Sequence, residues 1–195
     1  MIHETAFVHH TAVVYPGVSI GPNVYIGPMC VIGSFAEHPN GKHDGGSVVI
    51  AEGAVLTKLV TVDASTDGTT FVGSDCYLMA HSHVGHDARL GDGTILACGA
   101  KIGGGSKLGA HCNVGLNAVV HQGSDLADGT MIGASAFFKG INFERFAIFA
   151  GVPAKYIKRN EILIERLQAF GVLDHALAFT GKRIRRSPGD CDKMV

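Results

Sequence analysis

Tryptophan is absent from the 195-residue chain, and the aromatic share is only 7%. A core built mainly of stacked aromatic rings is therefore excluded. Charge is also scarce: 17% of residues are charged, and 16 Lys and Arg stand against 17 Asp and Glu. That balance lacks the basic footprint of a nucleic-acid or membrane-surface binder, so neither partner is expected. No apolar run approaches the ~18 residues of a membrane span, and the opening MIHETAFVHH lacks the basic-then-apolar order of a signal peptide. Five cysteines, an odd number with no CxxC pair, argue against a disulfide framework and fit a reducing compartment. A cytoplasmic protein without a membrane span is the expectation.

What is abundant is glycine, with 27 residues, and a spacing of six. Ile2, Val8, Val14, Ile20, Ile26 and Ile32 follow one another at that step, which resumes in phase at Ile50, Leu56 and Val62. After a four-residue slip it runs unbroken through Val72, Leu78, Val84, Leu90, Leu96, Ile102, Leu108, Val114, Val120, Leu126 and Ile132. A second row of small residues lies two positions earlier and includes Cys30, Cys76, Ser82, Ala88, Ala100, Ser106 and Cys112. One large and one small side chain, two apart, is what a short strand sends to its inner side. Glycine often follows the aliphatic residue, where a corner would want unrestricted backbone angles. A strand and a corner every six residues close after three faces, which defines an all-β solenoid, a triangular parallel β-helix of roughly seven coils. At ~4.8 Å per stacked strand the prism would be roughly 30 Å long. The cysteines of the small row read as packed, unreactive thiols.

Residues 34–47 (SFAEHPNGKHDGGS) break the repeat with Pro, Asn and Gly and must loop outward, and such loops often carry function. A shorter break, DASTDGT at 63–69, accounts for the slip. The solenoid is expected over 1–138 and a C-terminal extension over 139–195. In that extension Asn160 should cap a helix over Glu161–Phe170, with Gly171 as its stop and Ile162, Leu163, Leu167 and Phe170 as its apolar stripe. A second short helix over Asp174–Thr180, a basic run Lys182–Arg186 read as a solvated or phosphate-binding segment, and a disordered tail complete the expectation. The helices would cover the edge of the last coil.

Eleven histidines are a surplus, and His81, His83 and His86 fall within six residues, followed at once by Asp87. One coil is three hexads, or 18 residues, so Gly104 stacks next to His86. An imidazole beside exposed glycine backbone suits general-base catalysis with an N–H donor for a developing oxyanion. Asp87 would hold the tautomer or stabilise the charged ring.

These residues resemble the left-handed β-helix acyltransferases of the hexapeptide-repeat family. AFVHHTAVVYPGVSIGPNVYIGPMCVIG near the N-terminus, VGSDCYLMAHSHVGHD at 72–87 and VVHQ at 119–122 are similar to the branch that acylates UDP-N-acetylglucosamine in lipid A synthesis. That resemblance implies His86 as the base, Asp87 as its partner and the Gly104 N–H as oxyanion donor. It further implies His83, His121 and Gln122 as contacts to the sugar nucleotide, and a homotrimer with sites between subunits. Residues 86–159 are also similar to acetyl-CoA-dependent sugar acetyltransferases, through the Ile102-Gly103-Gly104 run and GVPAK at 151–155. There Gly103 and Lys155 would meet the cofactor. Both likenesses imply transfer of an acyl group from a thioester, acyl carrier protein or CoA, to a sugar or nucleotide-sugar acceptor. The first implies a hydroxyl acceptor, the second a hydroxyl or an amine. Neither implies a tightly bound cofactor or a metal.

Two other classes compete. His81 and His86 resemble the paired zinc ligands of γ-class carbonic anhydrases, in which His43 would be a poor third ligand. A non-catalytic trimeric scaffold would need no histidine–acid pair beside glycine backbone.

Overall fold

The computed structural model describes residues 1–39 and 46–171. The expected helix Asp174–Thr180, the basic run Lys182–Arg186, the tail and His43 lie outside the described residues.

The chain winds into a three-sided prism of parallel sheets. The first face has nine strands, from Phe7–Val8 to Ala147–Ala150 and Lys155–Arg159, and the second and third have seven each. Neighbours on a face are one coil apart in sequence, as Tyr77↔Ile95, His83↔Lys101 and Arg89↔Lys107 show. Seven complete coils are followed by an eighth turn that Ala147–Ala150 begins. Parallel pairing therefore continues past residue 138, through Ile141–Asn142 to Ala150.

The two inward rows form the core. Ile26, Ile32, Ile50, Leu56, Leu78, Leu96 and Ile102 are 0% exposed, and the small row from Thr70 to Thr130 is sealed beside them. Period-2 alternation puts the other residue of each strand outside. Burial pushes the thiol pKa of Cys112 up to about 12 and that of Cys76 higher still, so both are inert packing groups.

The glycines after the aliphatic residues do a different job from the one expected. Their backbone is not left-handed, Gly33 excepted; the left-handed position falls two residues later, at Asp87 (φ 61°) and Gly105 (φ 66°) for example. They are small because the next coil lies against them. A Cβ on Gly27 would sit 1.7 Å from the Thr57 carbonyl oxygen, and one on Gly85 would sit 2.8 Å from the Gly104 nitrogen.

The stack is undisturbed on either side of the insertion, since Ile20 still pairs with Ile50. At the C-terminal end, Lys155–Arg159 turns back antiparallel on Ala147–Ala150, so a hairpin closes the first face. The helix spans Glu161–Ala169 and is capped by the Asn160 side chain, which accepts from the Leu163 N–H at 3.2 Å. It buries Ile164 and Leu167 against Phe146, whereas Ile162 and Phe170, expected in the apolar stripe, are 64% and 62% exposed. One helix face of nine residues is too narrow to carry all four positions inward. No helix among the described residues is long and apolar enough to cross a membrane.

Candidate active site

Strand His83–Val84 sends Val84 into the core and leaves His83 outward on the second face. The chain then turns the corner to the third face through Gly85, His86 and Asp87. Asp87 takes the left-handed position, tolerable for a short polar side chain, and its N–H donates to Thr70 Oγ1 at 2.8 Å. Its carboxylate accepts from His86 Nδ1 at 2.8 Å, from the Thr66 hydroxyl at 2.6 Å and from the Thr66 N–H at 3.0 Å. Burial alone would raise the Asp87 pKa, but the donors from Thr66 and His86 outweigh it and hold the carboxyl below its ordinary value. An ionised Asp87 makes Nδ1 the protonated nitrogen of a neutral His86, an assignment made from this network. The Nε2 lone pair is then the free base.

Nε2 faces Gly104, one coil on. A Cβ built on Gly104 would lie 2.4 Å from it, so only glycine fits beneath the ring. At two other places in the solenoid the backbone N–H at the same point of the hexad is capped by an Asp of the next coil: Ser74 by Asp92 at 2.8 Å, Ala110 by Asp128 at 2.9 Å. Below Gly104 the equivalent residue is Gln122, and among the described residues the Gly104 N–H makes no hydrogen bond. An uncapped donor beside an imidazole base can hold an oxyanion. Gly103 lies against the same coil, where a Cβ would meet the Gln122 nitrogen at 2.4 Å. His121 bonds through Nδ1 with the Gln122 carbonyl at 3.0 Å and lies edge-on to Phe137.

Beside this corner the second face carries a 440 Å³ groove lined by Glu37, Leu59, Thr61, His81, His83 and Lys101. His83 bonds through Nδ1 with Thr61 Oγ1 at 2.8 Å, and its Nε2 lies 3.8 Å from Asp63 Oδ2. Asp63 is 3% exposed, and that oxygen has no hydrogen-bond partner. Burial raises the Asp63 pKa, His83 opposes the rise and Glu37 adds to it. The Lys101 ammonium is committed to the carbonyls of His81 and Gly99, at 2.9 and 2.8 Å. The insertion joins groove and corner: Glu37 lines the one, and the His38 ring lies 5.2 Å from the His86 ring.

His86, Asp87 and Gly104 thus meet as expected from spacing, with Gly103, His121 and Gln122 on the adjoining coils and His83 on the groove. Lys155 does not join them within one chain. It is exposed on the C-terminal hairpin, paired with Ala150 at the end of the first face. His81 and His86 occupy different corners, and among the described residues no three His, Cys, Asp or Glu side chains are grouped to hold a metal ion. Sequence reasoning did not single out Thr66, Asp63, Glu37 or His38. The signal available was that all four fall in or beside the two breaks in the hexads.

The chain has the fold of a left-handed β-helix, wound on a six-residue repeat. Residues 1–34 and 69–104 match the bacterial transferase hexapeptide (six repeats) family. The Acyl-[acyl-carrier-protein]–UDP-N-acetylglucosamine O-acyltransferase of Campylobacter concisus is 30% identical over 129 residues, 64% of this chain and 45% of that protein. Its counterpart in Burkholderia mallei is 30% identical over 112 residues, 55% of this chain and 42% of that protein. The chain therefore spans less than half the length of these relatives. Among solved structures, the UDP-N-acetylglucosamine acyltransferase of Campylobacter jejuni superimposes with a TM-score of 0.69 at 23% identity, over 100% of this chain and 81% of that one. LpxA from Acinetobacter baumannii gives 0.65 at 22%, over 98% and 88%.

Proposed function

We propose that the protein is an acyltransferase that moves an acyl group from a thioester, on acyl carrier protein or CoA, to an oxygen or nitrogen of a sugar or nucleotide sugar. The observation that carries this reading is the His86–Asp87 pair, with its free Nε2 over Gly104 and an uncapped N–H at that glycine. His86 Nε2 takes the acceptor's proton as the nucleophile adds to the thioester carbonyl carbon. The carbonyl oxygen becomes an oxyanion that the Gly104 N–H receives. Collapse breaks the C–S bond, and the thiolate leaves with the proton returned from Nε2. Asp87, held by Thr66, fixes the tautomer and steadies the imidazolium between the two transfers. His83, His121 and Gln122 contact the acceptor, and Gly103 lets the donor approach the coil. No tightly bound cofactor is needed.

The relatives named for acylating UDP-N-acetylglucosamine support a nucleotide-sugar acceptor, and the likeness to CoA-dependent acetyltransferases keeps CoA as a second donor with Lys155 as its contact. The test is a mass-spectrometric transfer assay with acetyl-CoA, longer acyl-CoA and acyl carrier protein, each with UDP-N-acetylglucosamine and with amino-sugar acceptors. His86→Ala should lower turnover about 10²–10⁴-fold with an unchanged melting temperature. Near-normal turnover in that variant would sink His86 as base, and no transfer from any donor would sink the reading.

A further inference from the structure

The insertion reaches the base from two coils away. It leaves strand Val31–Ser34, which pairs with Thr61–Asp63, and that strand pairs in turn with His83–Val84. Its first residues are fastened one after another. The Ser34 hydroxyl donates to Asp63 Oδ1 at 3.4 Å, and the Ser34 carbonyl accepts from the Ala64 N–H at 2.7 Å. Ala36 is 1% exposed and anchors the segment. The His38 N–H donates to the Ala36 carbonyl at 2.8 Å, and Pro39 biases His38 toward extended backbone. What this fastening delivers is the His38 ring, edge-on to the His86 ring, with centroids 5.2 Å apart and planes at 76°. The acyl-transfer chemistry leaves such a ring a task. His86 Nδ1 is committed to Asp87, so Nε2 alone takes the acceptor's proton and would also have to reach the departing sulfur. Nucleophile and sulfur stand on different sides of the carbonyl carbon, and the bond to Asp87 keeps the imidazole from swinging between them.

Resting on the acyltransferase reading, we propose that His38 is a second catalytic residue, which carries the proton from His86 to the leaving sulfur. The acceptor's proton moves to His86 Nε2 as its oxygen or nitrogen bonds to the thioester carbon. The imidazolium, steadied by Asp87, passes that proton to the basic nitrogen of a neutral His38, directly or through one water. His38 gives the proton on its other nitrogen to sulfur as the C–S bond breaks. Both imidazoles end neutral, His38 in its other tautomer, which reverts by exchange with water. Acceptor and thioester thus give acylated product and thiol, with no net proton taken from solution or left in it. An alkyl thiolate needs this proton more than an aryl thiolate does, because an aromatic ring spreads the charge on sulfur.

The experiment compares two donors carrying one acyl group: the CoA or acyl-carrier-protein thioester that the enzyme accepts, and the thioester of thiophenol. His38→Phe keeps a ring against His86 and removes both nitrogens. It should lower kcat/KM about 10²-fold on the alkyl thioester and leave the phenyl thioester rate nearly unchanged. Its urea midpoint should match the parent's, because position 38 is exposed. His86→Ala should lose turnover on both donors, since the acceptor's proton must be taken whatever leaves. In His38→Ala, added imidazole should raise the alkyl-thioester rate at least about 10-fold, a rescue that a packing role does not produce. That arm decides alone if the parent does not turn over the phenyl thioester. Equal losses on the two donors, near-normal turnover of His38→Phe on the alkyl thioester, or no rescue by imidazole each overturn the relay and leave acyl transfer standing. No transfer by the parent from any donor removes the acyltransferase reading and this inference with it.

Discussion

At the scale of single residues, the corner after strand His83–Val84 concentrates three demands on adjacent positions. His86 must present a free nitrogen, Asp87 must stay ionised in a left-handed backbone, and position 104 must have no side chain. Asp87 links stability to this chemistry. Its carboxyl lies below the ordinary value, so its stabilisation is fully present above the unfolded pKa of about 3.9 and is lost as pH falls through the folded one. Asp87→Asn should therefore unfold at lower urea than the parent at pH 7, with the gap narrowing as pH falls below about 4. Turnover should fall about 10²-fold or more at both ends of the active pH range, because the tautomer is no longer fixed. A urea gap independent of pH would contradict the ionised, multiply bonded carboxylate. Gly104 and Gly105 separate chemistry from fold. Gly104→Ala places a Cβ 2.4 Å from His86 Nε2 and should cost turnover with little change in melting temperature, the part-buried ring at the surface corner giving way. Gly105→Ala has open space but a φ of 66°, and should cost about 1 kcal/mol of stability while turnover persists. If the two variants exchange phenotypes, the stacking of Gly104 under the base is wrong.

At the scale of elements, each two-residue strand is held by its place in the coil rather than by its own length. Gly27 shows the tolerance: with the Thr57 carbonyl oxygen 1.7 Å from where a Cβ would be, Gly27→Ala must push rigid backbone apart. It should destabilise by about 2 kcal/mol or more, measured as a shift in urea midpoint, and more than Gly105→Ala does. A shift below that of Gly105→Ala would mean the coils are looser than they are drawn. The same tightness explains what could be read from sequence. Val84, Leu90 and Leu96 recur at a fixed step because a closed interior admits one side-chain size at each place, and the column His86–Gly104–Gln122 follows by counting 18. The glycine after each aliphatic residue was legible as a requirement but not by its cause, since close approach and a positive φ both select glycine. The hairpin Ala147–Ala150 with Lys155–Arg159 left no trace, because every residue of KYIKR is exposed and no alternation survives. Thr66 on Asp87, and Glu37 and His38 beside the groove, depend on the paths of two irregular segments, which periodicity does not encode.

At the scale of the whole molecule, the three faces of the prism are unlike on the outside. The third face turns Ser19, Val49, Phe71, Arg89, Lys107, Asp125 and Ile141 outward, apolar and charged residues mixed, and the second carries the groove. The first presents Phe7, Tyr25, Val55, Tyr77, Ile95, Met131 and Ile148 in one vertical file, with Phe7 stacked on Tyr25 at 5.0 Å and Asn113 its one polar member. Long apolar files that face solvent are characteristic of interaction surfaces, and the threefold assembly implied by the resemblance would cover this one with two further copies of the chain. Sedimentation should therefore give a species of three times the 20.4 kDa chain mass. Ile95→Glu, in the middle of the file, forces a carboxylate into that contact and should release monomers whose melting temperature is lower and independent of protein concentration, whereas the parent's rises with it. A monomeric parent removes the trimer. A trimeric Ile95→Glu variant keeps it but moves the contact to another face, and with that the set of side chains a neighbour could bring to the His86 corner.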